Sequence, residues 1–419
     1  MSGVGKPDAA SETEWSDCLL GEIAATRKEK AVATPGTACV ELEHIEPETG
    51  RLLGCDRSGE QASIKTAFAA GDILFGKLRP YLRKYAIAPF DGICTTEVLA
   101  IYPKDEATDK SFLFYLMQGD SVFETVESLS YGTKMPRVSW TDLSEIEIAF
   151  PSLPEQQKIA AILTAVDDKL DLITRQISAT QTLKQGLMQT LFTRGVGTPD
   201  TQGRWHPHTA FQNNELGRIP VGWSVLAIGE ALEVVERPFA MEAQTRYRRV
   251  TVKRRHGGVE LRDELPGDEV KVKNQYLLEA GDFLISERQI VHGACGIVPA
   301  ELAGALVSNE YLVLKARANF DVRYFNYLVQ LLRYAKLFLV CSQGVDIEKF
   351  LFKPKDWLKK LIPVPPLVEQ QKMVSALSAL EAKEVALTTK QTHYQSLKRG
   401  LMQKLLTGAW RVRVAAPTA

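Results

Sequence analysis

Residues 155–193 read EQQKIAAILTAVDDKLDLITRQISATQTLKQGLMQTLFT, and residues 369–407 repeat this stretch as EQQKMVSALSALEAKEVALTTKQTHYQSLKRGLMQKLLT. The two copies align without gaps at an offset of 214, and 17 of their 39 positions are identical. Neither copy contains proline, and each contains a single glycine, Gly186 or Gly400. Because proline and glycine are the residues that break helices, both copies are predicted to be long α-helices.

Apolar residues in each copy recur four and three residues apart, which is the pattern of a coiled-coil seam. The stripe of the first copy includes Leu163, Leu170 and Ile177 and then shifts to Leu183, Leu187 and Leu191. The stripe of the second copy includes Leu377, Leu380 and Leu387, with polar Glu384 and Gln391 at seam positions, and continues at Leu397, Leu401 and Leu405. Two matched helices, each roughly 58 Å long at ~1.5 Å per residue, are predicted to pair as a stiff antiparallel rod.

The segments that precede the two helices are related more weakly. Trp15 corresponds to Trp223 at an offset of 208, and AGDILFGKLR from Ala70 corresponds to AGDFLISERQ from Ala280 at an offset of 210. Short β-rich runs at 73–75, 85–88 and 97–102 precede a predicted helix at 111–129; a strand at 310–315 and a helix at 322–340 repeat this order. Each segment is therefore predicted to be a mixed α/β module.

The predicted fold class is α+β, with two mixed α/β domains separated by two long helices that pair as an antiparallel coiled coil. The predicted boundaries are module 1 at 1–150, a spacer helix at 151–194, a linker at 195–222, module 2 at 223–364, a second spacer helix at 365–408 and a tail at 409–419.

Composition excludes several classes of protein. The chain has no run of about 18–20 apolar residues and no hydrophobic signal core at its start, so a cytoplasmic location is expected. Its six cysteines are scattered without a CxxC pair, so no metal site is predicted. The net charge is zero, but residues 1–150 carry 15 Lys and Arg against 24 Asp and Glu, a balance of −9. Residues 211–362 carry 22 against 19, a balance of +3.

Four motifs carry a resemblance that covers essentially the whole chain. They are AGDILFGKLRPYLRK from Ala70, the turn Gly132-Thr133-Lys134, FPSLPEQQKIAAIL from Phe150 and NELGRIPVGWSV from Asn214. With these motifs and the duplicated helices, the chain resembles the specificity subunits of type I restriction-modification enzymes. Module 2 departs from the pattern at one point, with Gln343-Gly344-Val345 where module 1 has Tyr131-Gly132-Thr133.

The resemblance implies that each module recognises one half of a bipartite target in double-stranded DNA. It also implies that the helix pair spaces the modules and docks two methyltransferase subunits, and that restriction and translocase subunits join the full complex. The candidates for helix pairing or partner docking are Glu155, Gln156, Gln157, Leu163, Leu170, Ile177, Leu187, Glu369, Gln370, Gln371, Leu377, Leu387 and Leu401.

Basic residues close to aromatic residues or to glycine turns are the candidates for DNA contact, because arginine and lysine bind guanine edges and phosphates. In module 1 they are Lys77, Arg79, Tyr81, Arg83, Lys84, Gly132, Thr133, Lys134 and Arg137. In module 2 they are Arg246, Arg248, Arg249, Lys253, Arg254, Arg255, Arg288 and His292. The densest signal is the run from Arg246 to Arg255, with six cations in ten positions.

No catalytic residue, cofactor or metal ligand is assigned, because the chain contains neither a cofactor-binding glycine turn after a strand nor an (N/D)PP(Y/F) tetrapeptide. A non-catalytic, DNA-reading subunit is the leading hypothesis. The zero net charge leaves open a coiled-coil scaffold that does not read DNA, and a nuclease with an unrecognised active site is the third hypothesis.

Overall fold

The computed structural model describes residues 15–57, 64–129, 135–345 and 350–413. The chain divides into two compact units. Unit 1 comprises residues 1–175 and 389–419, and unit 2 comprises residues 176–388. The division falls inside both long helices, so each unit contains one α/β module together with part of each helix.

The duplicated stretch forms two uninterrupted helices, as its lack of proline predicts. Long helix 1 spans Leu153–Arg194 and long helix 2 spans Leu367–Leu405. Long helix 1 is followed by Gly195, whose left-handed backbone (φ 72°) ends the helix and whose N–H bonds to the carbonyl of Leu191.

Within each unit the two long helices run antiparallel. In unit 1, Lys398 Nζ lies 2.8 Å from Asp167 Oδ1, and Gln391 donates to Thr174 at 2.9 Å. In unit 2, Gln181 donates to Glu384 and Lys184 to Glu381, each at 2.6 Å. Partner numbers fall along long helix 2 as they rise along long helix 1, which defines the antiparallel register. The predicted polar seam positions Glu384 and Gln391 are confirmed.

The apolar seam is confirmed in part. Leu163 and Leu377 are fully buried, and the other seam candidates are half-buried: Leu170, Ile177, Leu187, Leu387 and Leu401. Leu183 and Leu397, predicted to extend the stripe, instead point outward with 57% and 49% of their surface exposed. Neither leucine therefore belongs to the buried face of its helix.

Module 1 consists of two four-stranded sheets, a strand pair and short helices. In order across the first sheet the strands are Ala24–Thr26, Val98–Pro103, Ile73–Gly76 and Tyr85–Ile87. Across the second they are Lys30–Val32, Ile64–Phe68, Gly92–Cys94 and Cys39–Val40, and the separate pair is Ser16–Leu19 with Glu147–Phe150. The helices are Leu20–Ile23, Lys110–Leu116, Asp120–Leu129 and Trp140–Ser144, with single 3-10 turns at Leu42–His44 and Pro80–Leu82.

Module 2 repeats this plan. Its four-stranded sheet contains Leu232–Val234, Tyr311–Ala316, Phe283–Ser286 and Cys295–Ile297. Its five-stranded sheet contains Pro238–Phe239, Gln275–Leu277, Leu306–Ser308, Arg246–Val252 and Val259–Pro266. The strand pairs are Ser224–Ala227 with Leu361–Val364 and Ser342–Gln343 with Leu351–Phe352. The helices are Ile228–Ala231, Val322–Leu328, Leu332–Val340 and Pro354–Trp357, with 3-10 turns at Ile290–His292 and Ala300–Leu302.

The helix predicted at 111–129 is two helices, and so is the one predicted at 322–340. A glutamine lies at the break in both cases. The side-chain amide of Gln118 donates to the carbonyl of Phe114 at 3.2 Å, and that of Gln330 donates to the carbonyl of Asn326 at 2.9 Å. Each amide satisfies a carbonyl of the last turn, so the first helix ends without proline.

The linker between long helix 1 and module 2 contains two β-hairpins. Thr198–Pro199 pairs with Trp205–His206, and Phe211–Asn214 pairs with Gly217–Pro220.

The EQQK motifs join each long helix to its own unit. Gln156 is fully buried and accepts from the N–H of Asp109 at 2.8 Å, while its amide donates to the carbonyl of Pro151 at 2.8 Å. Gln370 does the same in unit 2, accepting from Asp321 N–H at 2.8 Å and donating to the Pro365 carbonyl at 2.8 Å. These bonds fix the start of each helix against the helix cap of its module.

The glutamate of each motif receives donors from several parts of the same unit. Glu155 accepts from the Trp15 indole at 3.0 Å and from Arg411 through both carboxylate oxygens at 2.9 Å. Glu369 accepts from the Trp223 indole at 2.9 Å, from His208 at 2.9 Å, and from the N–H groups of residues 196 and 197. Both carboxylates are almost fully buried, so they hold their units together.

Candidate nucleic-acid interface

In module 1 the structure brings two candidate segments together. The loop between the strands Ile73–Gly76 and Tyr85–Ile87 bonds to the segment around Arg137: Arg79 N–H donates to the Pro136 carbonyl at 2.8 Å, and Val138 N–H donates to the Lys77 carbonyl at 3.2 Å. Gly132, Thr133 and Lys134 lie just before this segment, outside the described residues.

Three of the module 1 candidates hold the module together with their side chains. Arg83 donates to Asp120 at 2.7 Å, and its guanidinium lies 4.9 Å from the centre of the Phe123 ring. Lys84 donates to a backbone carbonyl, that of Leu42, at 2.6 Å. Arg137 makes a two-point ion pair with Glu97 at 3.1 and 3.2 Å.

The other described candidates of module 1 remain available to a ligand. Arg79 and Tyr81 are exposed and Lys77 is half-buried, and their side chains form no hydrogen bond or ion pair within the described part of the chain. All three belong to the loop that Pro136 and Val138 hold in place.

The basic run of module 2 lies along the strand Arg246–Val252, which pairs antiparallel with Val259–Pro266. This second strand is acidic. Arg249 makes a two-point ion pair with Asp263 at 2.8 and 2.7 Å, Lys253 lies 2.5 Å from Glu260, and Arg246 lies 3.5 Å from Glu264.

Arg248 donates instead to the backbone carbonyls of Glu301 and Ala303, at 2.7 and 2.9 Å. The residues from Arg246 to Lys253 are therefore engaged within the module. Pairs as exposed as Lys253 with Glu260 contribute little, so a phosphate can compete for them.

The end of the basic run meets the second candidate segment of module 2 at a cavity. Arg255 N–H donates to the His292 carbonyl at 2.7 Å, and His256 N–H donates to the Gly293 carbonyl at 2.8 Å. Arg254 bonds through Nε to Gln289 at 2.8 Å.

The cavity has a volume of about 330 Å³. Arg254, Arg255, His256 and His292 line one part of it, and apolar residues that include Phe338 line the rest. Burial lowers the pKa of His256 and so favours its neutral imidazole. Arg254 and Arg255 supply a permanent positive charge at this cavity.

The two loops occupy equivalent places in the two modules. In module 1 a strand, the 3-10 turn Pro80–Leu82 and a second strand follow one another; in module 2 the turn is Ile290–His292. Glu97 and Glu310 correspond as well, and each is paired with an arginine: Glu97 with Arg137, and Glu310 with Arg288 at 2.9 Å. In each module, backbone hydrogen bonds from a second basic segment hold this turn in place. The second segment is the one around Arg137 in module 1 and the one at Arg255 and His256 in module 2.

The helix candidates separate into buried and exposed groups. Glu155, Gln156, Glu369 and Gln370 are buried in their own units, so contacts within each unit account for the first two residues of each repeated EQQ triplet. Gln157 and Gln371, the third residues of the triplets, are exposed.

A further pair of outward positions was missed at the sequence level. Gly186 and Gly400 lie in equivalent turns, and a Cβ built on either glycine would have no atom within 4 Å among the described residues. Each lies one turn after an exposed leucine, Leu183 or Leu397. The sequence signal that could have identified these positions is the glycine that both copies of the duplicated stretch have at the same place.

Among the described residues, no group of His, Cys, Asp and Glu is arranged to hold a metal ion. None of the helices in the described ranges combines the length and the apolar character that crossing a membrane requires.

Comparison with known proteins identifies the family. The family model described as type I restriction modification DNA specificity domain matches residues 56–181 and 220–397. The type I restriction enzyme MjaVIII specificity subunit of Methanocaldococcus jannaschii is 26% identical over 355 residues, covering 82% of this chain and 77% of the relative. The putative MjaX specificity subunit of the same organism is 26% identical over 413 residues, covering 95% and 92%.

The fold is also shared with a solved structure. The type I restriction-modification system S subunit from M. genitalium matches with a TM-score of 0.55 and 15% identity, covering 96% of this chain and 98% of that one. The chain thus contains two copies of the same α/β module, each followed by a long helix. The chain belongs to the family of type I restriction-modification DNA specificity domains.

Proposed function

We propose that this chain is the DNA sequence-specificity subunit of a type I restriction-modification complex, in which each module reads one half of a bipartite target. The observation that carries the proposal is the duplicated module, which presents an equivalent strand-turn-strand loop twice. The names of the relatives, all specificity subunits of type I restriction enzymes, support it. Methylation and cleavage then belong to other subunits, and the complex acts in the cytoplasm.

The helix pair sets the distance between the half-sites in this proposal. Two readers joined by a stiff spacer contact sequences separated by a fixed number of base pairs, at about 3.4 Å per pair. The modules retain the proposed boundaries 1–150 and 223–364, with the spacer helices at 151–194 and 365–408.

The same helices dock two methyltransferase subunits, one on each copy of the outward face. Leu183 with Gly186 forms one face and Leu397 with Gly400 the other. A glycine inside an exposed helix costs roughly 0.5–1 kcal/mol relative to alanine, and no described residue lies close enough to either glycine to exclude a Cβ. Close approach of a partner helix explains why both copies retain glycine. Restriction and translocase subunits join the assembled complex.

The recognition role is tested by exchanging residues 1–150 for module 1 of a related subunit and mapping methylated adenines in the host genome. One half of the methylated motif should change while the other half and the spacing persist. A change in both halves, or in neither, contradicts the proposal.

Docking is tested by co-expression with a type I methyltransferase subunit that assembles with the wild-type chain, using Leu183→Ser and Leu397→Ser. Native mass spectrometry should show that each variant loses one of two methyltransferase subunits and that the double variant loses both. Lys390→Ala, at an exposed site on long helix 2, is the control and should retain both. Full occupancy in the double variant refutes this docking face.

A coiled-coil scaffold without DNA readout is the second candidate, because the ion pairs between Arg246–Val252 and Val259–Pro266 neutralise much of the basic run. Binding of all DNA sequences with equal affinity by the assembled complex would favour the scaffold.

A further inference from the structure

Backbone strain is concentrated in two segments that carry candidate residues. Six non-glycine residues in the described ranges have positive φ. Two of them, Arg79 (50°) and Arg83 (47°), flank the 3-10 turn of module 1, and two more, Arg255 (58°) and His256 (55°), lie in the hairpin turn that follows the strand Arg246–Val252 of module 2. The left-handed region costs a residue with a Cβ roughly 1–2 kcal/mol. Glycine relieves this cost, as Gly293 (φ 74°) does at the module 2 position equivalent to Arg83. Strain of this kind clusters where side chains must be placed for binding.

Arg79 and Arg255 differ from the other two strained residues in their side chains. Arg83 is paired with Asp120, and the His256 ring lies 3.5 Å from the Cys295 sulfur. Arg79 and Arg255 are exposed, and their guanidinium groups bond to no described residue.

Their backbones, in contrast, are fixed. Arg79 N–H bonds to Pro136 and Arg255 N–H bonds to His292, each a residue of a second segment. A free guanidinium on a fixed backbone suits a contact residue, because its donors are unoccupied and its backbone has little further freedom to lose on binding.

The charge around Arg255 indicates the class of ligand. Two arginines line its cavity, and none of the described residues that line it is acidic. A guanidinium donates to pairs of acceptors held at a fixed spacing. DNA offers such pairs at the O6 and N7 atoms of guanine and at the oxygens of a phosphate.

We infer that Arg79 in module 1 and Arg255 in module 2 are the arginines that contact DNA, one in each half-site. The inference rests on the proposed function and selects two residues from the seventeen candidates. Arg83, Arg137 and Arg249 act differently, since they are paired with carboxylates inside the modules.

The test uses the full chain in complex with its methyltransferase subunits. Selection from a random-sequence duplex library first establishes the motif bound by the wild type. Dissociation constants for that duplex are then measured at several salt concentrations for Arg79→Ala and Arg255→Ala. The matched controls, Lys28→Ala and Lys271→Ala, remove an exposed cation from the same modules.

Each arginine variant should bind the selected duplex roughly 5- to 150-fold more weakly, the equivalent of about 1–3 kcal/mol, while the controls stay within about twofold. For a guanine contact, discrimination is lost at one position in one half of the motif. For a phosphate contact, affinity falls equally for all sequences and the salt slope decreases by about one.

Unchanged affinity and salt slope in both variants, with a wild type that selects a bipartite motif, overturn the inference and leave the proposed function standing. A wild type that selects no motif overturns both. Arg79→Gly and Arg255→Gly supply a second readout, because glycine removes the side chain and also relieves the left-handed backbone. These variants should lose DNA affinity while melting no lower than the wild type. A lower melting temperature would show that the arginines hold the fold, and would overturn the inference.

Discussion

Gln370 and Gln371 are adjacent glutamines with opposite environments, and their substitution separates a structural role from a surface role. Gln370 is fully buried and makes bonds of 2.8 Å to Asp321 N–H and to the Pro365 carbonyl, whereas Gln371 is exposed. Gln370→Ala leaves both backbone groups buried without that partner. At about 1–3 kcal/mol for each group, the expected loss is roughly 2–6 kcal/mol of unfolding free energy in unit 2.

Differential scanning calorimetry measures this loss, with two transitions fitted because the chain has two compact units. A unit of this size shifts by roughly 2–4 °C per kcal/mol, so the transition of unit 2 should fall by about 5 °C or more. Gln371→Ala should shift it by no more than about 0.5 kcal/mol. Equal melting of the two variants would refute the assignment of Gln370 to the core of unit 2.

Three further predictions concern the carboxylate contacts and the exposed glycines. Burial raises the pKa of Glu155, but the Arg411 guanidinium, the Val412 N–H and the Trp15 indole together lower it below its usual value. Because the pKa of Glu155 is lower in the folded chain than its unfolded value of about 4.3, the ionised carboxylate stabilises the fold above that pH, and this stability is lost as the pH falls. The unfolding free energy of Glu155→Gln, measured with urea, should therefore depend less steeply on pH in the acid range than that of the wild type. An equal pH dependence would contradict this. Trp223→Phe removes a donor to the buried Glu369 and should lower the unfolding free energy by about 1.5–3 kcal/mol, while Trp410→Phe, at an exposed site, should not change it. Gly186→Ala and Gly400→Ala should each raise the stability of the free chain by roughly 0.5–1 kcal/mol in thermal melts, and a decrease would mean that the added methyl group meets an obstacle in the folded chain.

The long helices were predictable because their pattern is local. A stretch without proline and with apolar residues four and three apart determines a helix and its buried face, and the polar seam residues Glu384 and Gln391 were recognised on the same basis. Leu183 and Leu397 were placed wrongly, since periodicity shows that a leucine lies on a stripe but does not show whether anything covers it.

The roles of the EQQK motifs could not be derived from spacing. Glu155 receives donors from Trp15 and Arg411, which are 140 and 256 residues away. Only the parallel recurrence of the tryptophan and the glutamate in both copies hinted that they interact. Likewise, the sequence shows an acidic segment after Gly257 and Gly258, but it does not show which residues of the strand Val259–Pro266 lie opposite which residues of the basic run.

The charge balance of the modules is easier to understand once the ion pairs are known. Screening limits an exposed charge to about 10 Å at 0.1 M salt, so the −9 balance of residues 1–150 matters less than the carboxylates near the loop. Two carboxylates near that loop, Glu97 and Asp120, are paired with Arg137 and Arg83. Glu310, the counterpart of Glu97 in module 2, is paired with Arg288 from a different position in the sequence. The paired arginines therefore serve DNA binding indirectly in the proposed function, because they neutralise carboxylates that would otherwise repel a phosphate bound to the same module.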